Sequence, residues 1–376
     1  MQRAIVVAVE TRELQETLES ELSEFEALAR AAGATILDRI VQRRDSVDAT
    51  SLVGSGKALE IAERAREEGA DLLFVLNDLR PRQRRNLERI IPLPIVDRTM
   101  LILDVFARHA RSREGKLQVE LAQLRYRQSN LIGIGADLSR LGGGIGTRGP
   151  GETKLEVDRR NIGRRIATLN AALRAIGRQR TLRRSKAHRE PLVALVGYTN
   201  VGKSSLLNAL TQSDALVADQ PFATLDPTIR RAFLATHEYA RVADTVGFIT
   251  DLPKDLIAAF RATLEELREA DLLLHVLDAS NPQWRRQRRA VDAILDELEL
   301  DSAPRLLLFN KSDAMVPEAA GQNGALYVSA KTKEGLPALR ATILDGLTAI
   351  NVSRARSSSD RRSTRAEESE RNEPDR

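Results

Sequence analysis

The 376-residue chain contains no cysteine. That excludes disulfides, thiolate zinc sites and cysteine nucleophiles, and it suits a reducing compartment. Aromatic residues are scarce at 3%, so the 42% of hydrophobic residues must build cores mainly from Leu, Ile, Val and Ala. Histidine occurs at His109, His188, His237 and His275, without the spacing of metal ligands. His275 lies inside the apolar run Leu272–Leu277 and reads as a core residue. No apolar stretch approaches the roughly 20 residues of a membrane helix. The first residues, Met1–Val7, lead into a short strand-like run and not into the apolar core of a signal peptide. A cytoplasmic protein without membrane insertion is the expectation, and the length calls for two or three domains.

Acidic residues are missing from one stretch. Arg159–Arg189 holds eleven Arg or Lys and no Asp or Glu, so with a net charge of +5 the rest of the chain sums to 5 − 11 = −6. A run so free of acids points outward, to a polyanionic partner.

Residues 1 to about 105 alternate β-like runs (Ala4–Val9, Ala34–Leu37, Leu72–Leu76, Ile95–Val96) with helical ones (Glu13–Ala32, Lys57–Glu68, Arg80–Ile90). This alternation predicts a small α/β domain with a mostly parallel sheet. In residues 106–190, Leu117, Leu121, Leu124 and Leu131 form one stripe. Leu155, Ile162, Ile166, Leu169, Leu173 and Ile176 form another, at a/d spacing. The two segments are expected to pair as an antiparallel helical hairpin. Between them Gly133–Gly151 carries eight glycines in nineteen residues and is expected to be a loop at the hairpin tip. Residues 191–350 return to strand–helix alternation, with strands at Leu192–Val196, Tyr239–Ala243, Leu272–Leu277, Arg305–Phe309 and Ala325–Val328. Residues 351–376 have seven Arg, six acids and six Ser, and should be a disordered tail.

The chemistry lies in the third region. Gly197-Tyr198-Thr199-Asn200-Val201-Gly202-Lys203-Ser204 fits G-x-x-x-x-G-K-[ST] and sits between an apolar strand and the helix that Ser205 opens. Its backbone N–H groups can wrap phosphates at a helix N-terminus. Lys203 would reach the β- and γ-phosphates, and the Ser204 hydroxyl would ligate Mg2+. Asp244-Thr245-Val246-Gly247 follows a strand; Asp244 would hold Mg2+ through water and the Gly247 N–H would sense the γ-phosphate. Asn310-Lys311-Ser312-Asp313 decides the base, because the Asp313 carboxylate can accept from N1–H and the 2-amino group of guanine but finds neither on adenine. Ser329-Ala330-Lys331 completes the base pocket. Phe222-Ala223-Thr224-Leu225-Asp226-Pro227-Thr228 is the candidate switch loop, with Thr224 completing the Mg2+ shell and Thr228 the alternative. Lys203, Thr224 and Gly247 are thus the candidate catalytic groups. Phe248 stands where many GTPases carry a water-orienting glutamine, so unaided hydrolysis should be slow. The missing groups must come from a partner, a bound cation or the substrate phosphate; Asn200 either ligates a monovalent cation such as K+ beside the phosphates or only braces the loop. Two similar patterns are set aside. Gly54-Ser55-Gly56-Lys57 reads as a tight turn before a helix, and Gly144–Gly149 matches G-x-G-x-x-G without a preceding strand.

On these residues the chain resembles the HflX family of translational GTPases. Glu114–Leu124 resembles the family's first hairpin helix, Gly142–Thr153 its glycine-rich tip and Asp158-Arg159-Arg160 its second helix. Phe222–Asp226 and Asp244–Phe248 resemble its switches, and the likeness spans roughly residues 1 to 345. Val201 departs from the alanine usual there, and after the last helix only the polar tail follows. The resemblance implies an N-terminal α/β domain, a helical hairpin and a Ras-like GTPase domain. It further implies binding to the large ribosomal subunit near the peptidyl-transferase region, and GTP-linked splitting or rescue of stalled ribosomes; with GTP or GDP as the nucleotide, a monomer is the expectation. Gly142, Gly143, Gly144, Arg148, Arg159 and Arg160 are the candidate contacts to ribosomal RNA. The rival reading is a regulatory switch that docks a protein partner through its hairpin.

Overall fold

The computed structural model describes residues 2–141, 154–184, 190–211, 221–222, 228–250, 267–300 and 302–352. Its contacts divide the chain into two compact units. The first comprises Met1–Lys186, Ala218–Asp226 and Leu252–Ala262; the second comprises Ala187–Val217, Pro227–Asp251 and Thr263–Arg376.

The first unit opens with β1 (Gln2–Glu10), α1 (Leu18–Ala31), β2 (Ala34–Arg43), α2 (Ser55–Glu68), β3 (Leu72–Val75), α3 (Pro81–Ile90), β4 (Ile95–Asp97) and α4 (Arg98–His109). The strands form one parallel sheet in the order β2-β1-β3-β4. Ala4–Val9 of β1 and all of β3 are buried, which explains why both read as continuous apolar runs and not as alternating ones. Gly54 is the N-cap of α2 with φ +86°, so the glycine pair there is a turn into a helix. The sequence reading did not separate α4, whose start is marked by one polar residue: the Asp97 carboxylate accepts the Met100 N–H at 3.0 Å.

Two long helices follow, α5 (Arg113–Leu141) and α6 (Lys154–Arg184). The expectation of a loop from residue 133 needs correction, because α5 continues through Gly133 and Gly135 to Leu141. A lone glycine costs a helix about 1 kcal/mol relative to alanine, and a helix already nucleated gains a hydrogen bond with every further residue. Residues 142–153, including Gly142, Gly143, Gly144 and Arg148, lie outside the described residues. The helices are joined by a two-pronged ion pair, with Arg165 Nε and Nη2 donating to Glu120 Oε1 and Oε2 at 2.7 and 2.9 Å. On α6 the seam positions Ile162, Ile166, Leu173 and Ile176 are half-buried and Leu169 is buried, while Arg159, Arg160, Arg164, Arg174 and Arg178 are exposed. Helix α5 buries a wider face, with Gln118, Val119, Leu121 and Ala122 all covered, because it also packs on α3 and α4. Its Tyr126 hydroxyl donates to Asp97 Oδ2 at 2.6 Å, and Arg84 Nη2 donates to the same oxygen at 2.6 Å. A single buried carboxylate thereby caps α4 and anchors α5.

The second unit contains β5 (Leu192–Gly197), α7 (Lys203–Thr211), β6 (Thr228–Ala235), β7 (Glu238–Asp244), β8 (Leu272–Asp278), α8 (Trp284–Glu297), β9 (Arg305–Asn310), β10 (Ala325–Tyr327) and a final helix α9 over residues 336–352. The sheet order is β10-β9-β8-β5-β7-β6, parallel except for the β6–β7 pair. Strand β6 escaped the sequence reading. It is an edge strand that turns Ile229, Arg231 and Phe233 outward, so its pattern lacks the apolar density of the others. His275 is 1% exposed in the middle of β8, and burial among Arg305 and Arg288 pushes its pKa down to about 3, so it is a neutral core residue as read. Residues 353–376 lie outside the described residues. Among the described residues no helix is long and apolar enough to cross a membrane.

Candidate functional site

Four loops leave the strand ends of the second unit's sheet. The first, Gly197–Gly202, connects β5 to α7. Its hallmark residues are shaped by close contacts. Gly202 has φ +87°, and a Cβ there would collide with Asn310 Nδ2. Lys203 is 6% exposed and folds back over the loop, donating to the Gly197 and Tyr198 carbonyls at 3.0 and 2.7 Å. Burial pushes its ammonium pKa down to about 8, and the Asp244 carboxylate pulls in the opposite direction. The direction marks a cation held out of water.

Ser204 and Asp244 meet as their spacing requires. The Ser204 hydroxyl donates to Asp244 Oδ2 at 2.6 Å, and Asp244 is 2% exposed at the end of β7. Thr245 fixes the turn that follows, its hydroxyl donating to the Leu195 carbonyl at 2.6 Å. Gly247 then runs so close to the first loop that a Cβ would lie 2.9 Å from Thr199 Cα and 3.1 Å from Lys203 Nζ. Phe248, the next residue, is buried at 2% exposure.

The third and fourth loops are joined by Asn310, which is 1% exposed. Its Nδ2 donates to the Val201 carbonyl at 2.9 Å and its Oδ1 accepts the Ala330 N–H at 3.0 Å, so one amide ties three loops together. Lys311 Nζ donates to the Asn200 carbonyl at 2.9 Å and to Asp278 Oδ2 at 2.7 Å. The Ser329 hydroxyl donates to Asp313 Oδ1 at 2.7 Å, which holds that carboxyl below the usual range. The carboxyl is thereby held in its charged form, with one oxygen fixed by Ser329. Ser205 lies in the first turn of α7, Val246 follows β7, Ser312 follows Lys311 in a short 3-10 turn, and Lys331 follows Ala330 beyond β10.

The candidate switch loop is largely outside this picture. Ala223, Thr224, Leu225 and Asp226 lie outside the described residues. Phe222, in left-handed backbone at φ +58°, packs edge-on against Phe106 of α4 with ring centres 4.4 Å apart, within the first unit.

Two participants were not foreseen. Asp278 ends β8 opposite Asn310 of β9 and grips Lys311. The register was readable in principle, since Asp278 and Asn310 both close apolar strands, but no motif includes Asp278. Thr250 reaches back to Tyr198, a contact no spacing announces.

A mostly parallel sheet whose strand ends bear a G-x-x-x-x-G-K-S loop, a D-x-x-G segment and an N-K-x-D loop defines a P-loop GTPase. Comparisons with known proteins refine that class. Family models match in sequence order: "GTP-binding GTPase N-terminal" over residues 19–107, "GTP-binding GTPase Middle Region" over 109–187 and "50S ribosome-binding GTPase" over 192–311. GTPase HflX of Caldanaerobacter subterraneus is 47% identical over 91% of this chain and 80% of the relative's length. GTPase HflX of Escherichia coli is 44% identical over 87% of this chain and 79% of its own. The chain belongs to the HflX family of GTPases. The solved structure of SsGBP in complex with GDP shares the fold, at a TM-score of 0.51 and 23% identity over 93% of this chain and 99% of that one.

Proposed function

We propose that this GTPase binds GTP at the four-loop site, hydrolyses it slowly alone, and works on the large ribosomal subunit, where turnover rises and is coupled to splitting or rescue of stalled ribosomes. The observation that carries the reading is the convergence on Asn310 of the phosphate loop, the N-K-x-D loop and the Ser329–Lys331 loop. The backbone of Gly197–Ser205 and the Lys203 ammonium hold the phosphates. Asp313 reads guanine, supported by Lys311, Ser329 and Lys331. Ser204 and Asp244 offer an all-oxygen pair of the kind a hard cation takes, which fits Mg2+, with Thr224 as a third ligand and Asp244 acting through water. Bound Mg2+ supplies neutralisation of the β- and γ-phosphate charge. Asn200, with φ +60° and an exposed side chain, is suited to a K+ site, which equal turnover in potassium and sodium would remove. Phe248, buried and without a polar group, supports the slow unaided rate.

The ribosomal part is supported by the description of the family model over residues 192–311 and by the exposed arginines of α6. Arg159 and Arg160, with Gly142, Gly143, Gly144 and Arg148, would face ribosomal RNA, and the protein would act as a cytoplasmic monomer. Among the described residues of this run, Arg165 is matched by Glu120. The test is pelleting with separated ribosomal subunits under GTP, GDP and a non-hydrolysable analogue, over a salt series. Association with the large subunit should depend on GTP and weaken steeply with salt. Association indifferent to nucleotide and salt would sink the RNA reading and favour docking of a protein on the hairpin.

A further inference from the structure

The stretch after Gly247 is fastened to the phosphate loop at several points. Tyr198 and Phe248 form an isolated parallel bridge. Across it the Thr199 N–H donates to the Phe248 carbonyl at 2.7 Å, and the Phe248 N–H donates to the Gly197 carbonyl at 3.1 Å. One step further, the Tyr198 hydroxyl accepts the Thr250 N–H at 2.8 Å and exchanges a hydrogen bond with Thr250 Oγ1 at 2.8 Å. Tyr198 is 2% exposed, so water competes little for that hydroxyl. The result is felt at Gly247, which lies against Thr199 and within reach of Lys203 Nζ.

Position 198 is a free position in the phosphate-loop motif, because the loop binds phosphate through its backbone. The tyrosine side chain is therefore spare for other work. An amide that senses a phosphate binds it better when its position is settled beforehand, since the ordering cost is already met.

We propose that Tyr198 is a positioning residue, whose hydroxyl pins residues 248–250 to the phosphate loop and holds the Gly247 amide beside Lys203 ready for the γ-phosphate. The proposal rests on the assignment of Lys203 and Gly247 to that phosphate. Its signature is selective: groups that meet the α- and β-phosphates are untouched, so only ligands with a γ-phosphate feel the hydroxyl.

Tyr198→Phe keeps the ring and removes one oxygen. GDP affinity should stay within about twofold of wild type, while affinity for a non-hydrolysable GTP analogue and kcat for GTP each fall by about five- to tenfold, the worth of an ordinary hydrogen bond. Thr250→Val removes the hydroxyl partner but keeps the N–H bond, and should give a smaller loss of the same kind. Equal losses for GDP and the analogue would mean that Tyr198 merely stabilises the loop, and the proposal would fall. Wild-type behaviour of Tyr198→Phe towards both ligands would overturn it too. Lys203→Ala is measured alongside. If that variant binds both nucleotides normally, the site assignment itself is wrong; if it loses them while Tyr198→Phe behaves as wild type, only the positioning role is lost.

Discussion

Asn310→Ala is the substitution whose cost can be worked most directly from the structure. The side chain is 1% exposed and makes two hydrogen bonds, at 2.9 Å to the Val201 carbonyl and 3.0 Å to the Ala330 N–H. Removing it leaves an acceptor and a donor in a closed site, each costing about 1–3 kcal/mol when deprived of its partner. The binding-competent arrangement of the three loops should therefore lose about 2–6 kcal/mol. At a factor of ten per 1.4 kcal/mol, the lower bound is a loss of roughly thirtyfold in guanine-nucleotide affinity. Asn310→Asp should do no better, since it keeps the acceptor for Ala330 but turns a carboxylate towards the Val201 carbonyl. The assay is titration of a fluorescent GDP analogue, with a melting curve for each variant in saturating GDP to separate loop geometry from global unfolding. Affinity within about threefold of wild type for Asn310→Ala would mean that the loops hold their places unaided, and the reasoning would be refuted.

Asp313→Asn should exchange guanine for xanthine preference, because an amide can donate to the carbonyl that xanthine carries, with guanine affinity falling roughly a hundredfold; competition between GDP and XDP for the labelled nucleotide reads this, and retained guanine selectivity would contradict the base-reading role. His275 predicts an acid limit. Its pKa is about 3 when folded against 6.5 for the ordinary group, so the unfolded chain binds more protons between those values. The stability it protects is complete above pH 6.5 and is lost as the pH falls towards 3, by about 2 kcal/mol at pH 5. In His275→Leu the slope of denaturant-derived stability between pH 7 and 5 should shrink by that amount, and an unchanged slope would show that other groups set it.

Most of the nucleotide site was legible because its motifs are backbone requirements written as residue identities. Gly202 must be glycine where Asn310 approaches, and Gly247 where Thr199 does. Strand β5, which carries the first loop, is fully apolar, and β9, which carries the third, is apolar from Leu306 to Phe309, so strand, loop and helix could be read together there. What escaped reading depends on contacts between distant elements. Asp97 serves α4, Arg84 and Tyr126 at once, and nothing in its neighbourhood announces a partner on α5. Asp278 and Thr250 are likewise ordinary residues made relevant by register and by the path of a neighbouring loop. The end of α5 was misjudged for a different reason: glycine content measures a local cost, and the cooperativity of a long helix outweighed it.

The distance along the chain over which the site closes has a consequence for how the protein is made. Asn310 reaches Val201 across 109 residues and Lys311 reaches Asn200 across 111. Such remote pairings pay loop-closure entropy before any contact rewards them, which slows folding of parallel sheets. During synthesis the phosphate loop emerges long before the strand that steadies it, so a chain arrested short of residue 310 carries the phosphate-binding sequence without its brace. If Asn310 braces the pocket as proposed, nucleotide binding by the nascent protein reports completion: full affinity should arise only once β9 has left the tunnel and taken its place beside β8.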